Sequence, residues 1–315
     1  VHSVDDAVVD EAFIRLLRER DIVYCPTLVV SKNYSLTFLQ EPDLDPVDFR
    51  LSNPYALGTL FDLQHLPEGR QRLEATRSRA AALRERYARQ DSIMAENLRR
   101  LHAAGIPIAT GTDAGNIGTL HATSYYDELE AMAAAGLSRW DILEASTVNG
   151  ARAVGQAGAF GALQAGQRAN LVALNADPLA SLDHWQAIDF VVHNGVMYRP
   201  DSLLTTTPED LAQQQLNAYN ARDIDAFLAP YAEDVEIYNF PAQLRSKGRA
   251  QMRESYARFF EQTEDLHCEL VNRIVQGNTV IDQERVTVRR GEPPIEAIAV
   301  YKIEHGKIAR VYFIR

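Results

Sequence analysis

The chain has 315 residues, 46% of them hydrophobic and 24% charged, with a formal net charge of −11. That length fits two domains of ordinary size, and the composition fits a globular protein able to bury a core. The acidic balance without a basic stripe excludes a nucleic-acid partner, and no apolar run reaches the roughly 18 residues that read as a membrane span.

Val1-His2-Ser3 reads as the end of a strand, and residues 6–20 then carry Val9, Phe13, Leu16 and Leu17 at helical spacing. Ile22-Val23-Tyr24 reads as a short buried strand stopped by Cys25-Pro26-Thr27. Residues 31–66, rich in Asn, Asp, Pro and Tyr, are expected to form a long loop or lid with short helices. A helical stretch with one break is expected over 68–104, closed by Gly105 and followed by the apolar strand 106–109. Two more helices are expected over 124–135 and 138–154, the second capped by Ser138. Such alternation of helix and strand indicates a parallel α/β sheet or barrel. From 158 to 198 short strands (AFGAL, ANLVALNA, DFVVHNGVMY) alternate with Gly-rich turns, and Asn194-Gly195 is a hairpin signal.

Residues 202–207 read as a linker ending in Thr207 as N-cap, with Pro208 at the first helical position. Helices are then expected over 209–222 and 224–232, a strand over 235–239 and a helix over 248–262. Strands around 267–275, 278–289, 295–303 and 308–314 complete an α+β domain, an antiparallel sheet curled around a helix. Its turns fall at Gly277-Asn278 and His305-Gly306. The resulting division is 1–157, 158–201, the linker 202–207, and 208–315.

Asp113 carries the strongest chemical signal. It lies in Thr-Gly-Thr-Asp-Ala-Gly directly after the apolar strand, where an acid has no packing use. Two readings stand: a cap on a following helix, or a catalytic or metal-binding carboxylate at a strand's C-terminal end. His2 ends another strand of the same sheet, and imidazole with carboxylate is a donor set suited to zinc and similar divalent ions. His121, eight residues after Asp113, lies in a loop where it could meet substrate or start a helix. His65, His102, His184 and His193 read as solvated or structural, and Tyr125 and Tyr126 as packing. Cys25 and Cys268 read as two separate buried thiols rather than a disulfide framework.

The segments HSVDDAVVDEAFIRLLRERDIVYCPTLVV (2–30) and IPIATGTDAGNIGTLHATSYYDELEAMAAAGLSRWDILEASTVNGARAVG (106–155) resemble the metal-dependent amidohydrolases. The imidazolonepropionase-like and prolidase-like branches are the nearest in appearance. FGALQAGQRANLVALNADPL (160–179) and VVHNGVMYRP (191–200) resemble that family's β-sandwich strands. The resemblance implies an α/β partial TIM barrel, strands six to eight, with flanking sandwich strands. It implies His2 and Asp113 as ligands of one or two divalent ions, zinc foremost, with Asp113 also the general base and His121 touching a small-molecule substrate. The family's His-x-His pair, bridging Lys or Glu and further His cannot be placed here, and about five of the eight barrel strands would precede Val1. The expectation is therefore the C-terminal portion of a longer C–N hydrolase, without hydrolytic activity of its own and cytoplasmic by preference.

Residues 207–241, 247–260 and 297–315 resemble the SnoaL-like, nuclear-transport-factor-two-like cone, a fold shared by enzymes and plain binding modules. The resemblance implies a homodimer through the cone and a pocket lined by Tyr219, Tyr238, Asp282 and Tyr301, with Glu284 as a further candidate. Because alternate strand positions share a face, Asp282 and Glu284 point the same way, with a solvated or interfacial face expected. Tyr238-Asn239 and Ala299 stand where the ketosteroid isomerases of that fold keep their acids, so steroid isomerisation is not expected. A small-molecule-binding or dimerisation module carried by the cone is the alternative function.

Overall fold

The computed structural model describes residues 1–66, 68–203, 205–263 and 265–314. In chain order the elements begin with α1 (Glu11–Glu19), α2 (Val29–Leu39), α3 (Pro46–Leu51), α4 (Pro54–Asp62), α5 (Gly69–Arg77), α6 (Ala80–Ala103), α7 (Ser124–Ala134), α8 (Arg139–Ser146) and α9 (Val148–Ala153). Next come β1 (Leu171–Leu174), β2 (Ile188–His193), β3 (Val196–Tyr198), α10 (Pro200–Leu203), α11 (Pro208–Ala221), α12 (Ile224–Leu228), β4 (Tyr231–Asn239) and β5 (Gln243–Lys247). The chain closes with α13 (Arg249–Gln262), β6 (His267–Gln276), β7 (Thr279–Thr287), β8 (Ile295–Glu304) and β9 (Lys307–Ile314). Two units result: Val1–Asp43 with Pro67–Thr205, and Leu44–Leu66 with Thr206–Arg315.

In the first unit three short segments pair in parallel, His2 with Cys25 and Tyr24 with Ile108. The Cys25 amide donates to the Val1 carbonyl, the Tyr24 amide to Pro107 and the Ala109 amide to Tyr24, each at 2.9 Å. Tyr24, Ile106, Ile108 and Ala109 are all buried, as strands covered on both faces require. Leu17, Leu98, Leu101, Met132 and Ile142 from the surrounding helices share their core. Two buried polar side chains set the strand ends. Asn97 on α6 donates to the carbonyls of Val4 and Ala7, both at 2.9 Å, and accepts the Val9 amide at 2.8 Å, pinning the segment behind His2. Glu128 on α7 accepts the Leu28 and Val29 amides at 3.0 and 3.1 Å, satisfying the open N-terminus of α2.

Several local expectations are corrected. Residues 31–66 are not mainly loop, since α2 runs unbroken to Leu39 and Leu44–Leu66 groups with the second unit. The helix expected over 138–154 breaks at Thr147, whose φ of −123° and ψ of −92° leave the helical region. AFGAL makes one bridge, Ala157 with Phe160, and no strand; β1, β2 and β3 form a three-stranded antiparallel sheet. The break expected within 68–104 falls between α5 and α6.

The second unit has a six-stranded sheet in the order β5-β4-β9-β8-β7-β6, in which β4 and β9 pair in parallel. The other neighbours pair antiparallel. Helix α11 opens with a full capping box, the Thr207 hydroxyl accepting the Asp210 amide while Asp210 returns the contact. The linker expected over 202–207 includes Leu204, which lies outside the described residues. Strand β5 was not expected, because Gln243–Lys247 has no apolar alternation and all five residues are at least partly exposed. Helices α3 and α4 pack on α11, where Asn217 donates to the Pro54 carbonyl at 2.6 Å. A Cβ on Gly58 of α4 would lie 2.8 Å from the Asn217 oxygen, so that crossing needs glycine.

Candidate functional site

The C-terminal ends of the three parallel segments meet at one pocket of about 640 Å³, whose wall includes His2, Cys25, Thr27, Gly111, Asp113 and Arg152. At each strand end a non-glycine residue takes a left-handed backbone: Ser3 (φ 47°), Thr27 (φ 48°) and Asp113 (φ 53°). For β-branched Thr27 this is a true outlier, costing on the order of 1–3 kcal/mol, and such strain collects at functional sites. The Ser3 and Thr27 hydroxyls hydrogen-bond to each other and tie two of these turns together. Gly111 has no freedom to carry a side chain: a Cβ there would lie 2.5 Å from the Cys25 sulfur.

Asp113 departs from its expected setting. It lies beyond the strand and is exposed, so burial does not force its charge to be matched. Its Oδ2 accepts the Asn116 side-chain amide at 2.6 Å, and Asn116 is held in turn by the Tyr34 hydroxyl at 2.7 Å. It caps no helix, since α7 begins only at Ser124. His2 is likewise exposed, its Nδ1 3.2 Å from the Ser3 hydroxyl. His121 is exposed on the loop before α7, its ring beside Gly115, and it does not line the pocket. Sequence reasoning passed over Cys25 and Arg152 as wall residues, although Cys25 follows the second strand just as His2 ends the first. Burial, with Glu128 adding to it, pushes the Cys25 thiol up to about 11. The other histidines sit elsewhere: His184 against the Asp177 carbonyl at 2.7 Å, and His65 stacked on His267 at 3.5 Å between ring centres.

The second unit has a cavity of about 450 Å³, open on one side, between its helices and the inner face of its sheet. Phe227, Tyr256 and Tyr219 form its aromatic wall, with ring centres 4.6 Å (Phe227–Tyr256) and 5.9 Å (Tyr219–Phe227) apart. On the sheet side stands a directed hydrogen-bond chain. Tyr231 donates to Gln215 (3.2 Å), Gln215 to the Tyr301 hydroxyl (2.9 Å), and Tyr301 to Glu284 Oε1 (2.9 Å). Burial, with Asp282 adding to it, pushes the Glu284 carboxyl up to about 7, although the Tyr301 bond opposes the shift.

Tyr219 and Tyr301 line this cavity; Tyr238 and Asp282 do not. Tyr238 stacks on Tyr312 at 5.0 Å and donates to Glu236 at 2.7 Å. Asp282 is 0% exposed and is held by Arg273 through two bonds of 2.7 and 2.6 Å. The solvated face expected for Asp282 and Glu284 is thus the buried interior, Glu284 being only 6% exposed. Gln215 went unnoticed, though a glutamine one residue before the apolar Leu216 on a core-facing helix was the available signal.

Residues 62–198 match the amidohydrolase family model and residues 212–311 the SnoaL-like domain model. The chain joins an amidohydrolase-family segment to a SnoaL-like domain. Over 114 residues it is 35% identical to an imidazolonepropionase of Syntrophobacter fumaroxidans; the match takes in 36% of this chain and only 25% of that protein. Among solved structures it is similar to a Xaa-Pro dipeptidase with bound methionine (18% identity, 63% of this chain, 39% of that one, TM-score 0.42). It is also similar to a cystatin-fold protein from Novosphingobium aromaticivorans (28% identity, 35% of this chain, all of that one, TM-score 0.33). Asp113 and His121 fall inside the amidohydrolase match and His2 before it.

Members of the amidohydrolase family are generally metal-dependent, and a catalytic divalent ion takes about three protein ligands plus water. Among the described residues no group of three or more His, Cys, Asp or Glu is placed to hold a metal. His2 and Asp113 share a pocket wall, and Cys25 keeps its proton at neutral pH. The donor set present therefore does not by itself fit a catalytic ion. A protonated Cys25 has a direct consequence. Iodoacetamide at pH 7.5 is expected to alkylate it at least about tenfold more slowly in the native chain than in urea. Equal rates, read by mass spectrometry of the Cys25 peptide, would mean an activated thiolate instead.

Proposed function

We propose that the amidohydrolase-family segment serves the hydrolysis of a C–N bond in an amide, cyclic amide or peptide, with zinc as the ion of the complete site. In this reading the three parallel segments are the sixth to eighth strands of a barrel. His2 and Asp113 each give one ligand group. One observation carries it: Asp113, inside the family match, follows a parallel segment and lines the same pocket as His2. Since no three ligating side chains among the described residues are placed together to hold an ion, the chain by itself is read as non-hydrolytic. The test is incubation of the chain with zinc, manganese or cobalt, followed by assay on an amide, a lactam and a dipeptide. No turnover and no zinc retained through gel filtration are expected; turnover that disappears in Asp113→Ala would overturn the inactivity and keep the hydrolase.

A second reading rests on the cavity: the SnoaL-like domain is a small-molecule-binding module, and two copies pair through its sheet. Val271, Ile274 and Ile298, exposed on β6 and β8, favour that pairing. Light scattering after gel filtration is expected to give twice the chain mass, and the chain mass after Ile274→Lys. No helix among the described residues is long and apolar enough to cross a membrane.

A further inference from the structure

The cavity of the SnoaL-like domain has an asymmetric lining. Its body is apolar and aromatic, with Phe227, Tyr256, Tyr219 and Phe259 on the helix side and Val286 and Ala297 on the sheet side. A single acidic group faces it, Glu284. One of its oxygens accepts the Tyr301 hydroxyl, and Tyr301 is already engaged by Gln215. The other, Oε2, makes no hydrogen bond within the described chain, although the side chain is almost wholly buried. That oxygen is not one of the sealed, unpartnered atoms among the described residues, so it is open to the cavity, where a donor or a cation would complete it. Asp282, the neighbouring acid, cannot do so, because Arg273 takes both of its oxygens and Gln213 takes a further Arg273 nitrogen at 2.9 Å. Arg273 is therefore already neutralised. The cation on the cavity wall among the described residues is Arg245, which is exposed.

Open carboxylate and surrounding rings together are what an organic ammonium needs: a counter-charge on one side and the negative faces of aromatic rings on the others. A cavity near 450 Å³ is within the range of small-molecule sites and has room for a fused-ring body beside the charged end. We propose that the cavity binds an apolar, ring-bearing amine, its ammonium held between Glu284 Oε2 and the ring faces of Tyr219, Phe227 and Tyr256. The raised carboxyl of Glu284 agrees with this: a bound cation would stabilise the ionised form that burial disfavours. This inference is independent of the hydrolase reading, which concerns the other unit.

The test uses the full chain and three probes of one shape: 1-naphthaleneethylamine, 1-naphthaleneethanol and 1-naphthaleneacetate, titrated at pH 8 by calorimetry. The amine is expected to bind at least about tenfold more tightly than the alcohol, and the acid most weakly. In Glu284→Gln the amine should fall to the level of the alcohol, while the alcohol itself changes less than about threefold. Should that variant unfold, the native chain still decides. Lowering the pH from 8 to 5.5 protonates Glu284 and should shrink the preference for the amine. Of the groups facing Glu284, Tyr301, Tyr231 and Cys268 are pushed up by burial and keep their protons across this range, and Asp282 is turned to its ion pair with Arg273. Equal binding of amine and alcohol in the native chain would overturn the proposal. So would tighter binding of the acid, which would assign recognition to Arg245.

Discussion

Replacing Asp282 by alanine is expected to cost the SnoaL-like domain about 3–5 kcal/mol, the usual penalty for leaving one partner of a buried ion pair behind. Asp282 is fully buried and the Arg273 side chain is only 6% exposed, so solvent cannot take over the lost contact. The guanidinium is also one member of a longer chain. It donates to Gln213, Gln213 donates to Asn217 at 2.9 Å, and Asn217 donates to the Pro54 carbonyl on α4. Loss of the carboxylate therefore loosens the attachment of α4 to α11 as well as the β6–β7 hairpin. Removing both charges together, as in Arg273→Met with Asp282→Leu, is expected to recover most of the stability, because no uncompensated ion remains. Both tryptophans, Trp140 and Trp185, belong to the first unit, so their fluorescence is blind to this change. Hydrogen exchange of the β6 to β9 amides is the appropriate readout. A loss below about 1 kcal/mol in the single variant would show that the pair contributes little.

The Arg273–Asp282 pair is legible in the sequence from the turn that joins β6 to β7. A turn at Gly277-Asn278 pairs Gln276 with Thr279, and counting outward brings Arg273 opposite Asp282, which is the observed register. Opposite charges across an inward-facing position would have removed Asp282 from the pocket candidates and left Glu284. Tyr238 failed for a different reason. Along β4 the buried Val235 and Ile237 alternate with Glu236 and Tyr238, and the register with β9 is unbroken from Glu236 to Asn239, so Tyr238 lies on the face turned away from the cavity. In the first unit, His2 and Asp113 could be assigned to one pocket wall because both follow segments that pair in parallel. The exposure of Asp113 was not readable, since it depends on the left-handed turn that carries the chain out beyond Ala109. The placement of Leu44–Leu66 with the second unit was hidden as well. Its contacts to α11 join residues more than 150 positions apart, such as Pro54 and Asn217.

Glu128 should make the first unit less stable as the pH rises from about 4.5 to 7. The carboxyl is completely buried, and that burial pushes it up to about 7 even though the Leu28 and Val29 amides favour its charge. Below the unfolded-state value near 4.5, both states hold the proton and the group is neutral with respect to stability. Between 4.5 and 7 the native state keeps a proton that the unfolded chain has released, so stability falls with pH and levels off above 7. A shift of that size corresponds to about 3 kcal/mol across the window, to order of magnitude. In Glu128→Gln the N-terminus of α2 still has one carbonyl oxygen as acceptor, but nothing titrates there. That variant should be less stable at pH 5 through the lost acceptor, and its deficit should narrow or reverse by pH 8. Urea unfolding followed by the fluorescence of Trp140 and Trp185 reads this unit directly. Parallel pH profiles for the native chain and Glu128→Gln would sink the account, because the carboxylate would then be ionised throughout. The acid that holds the N-terminus of α2 would then be a fixed buried charge rather than a proton store.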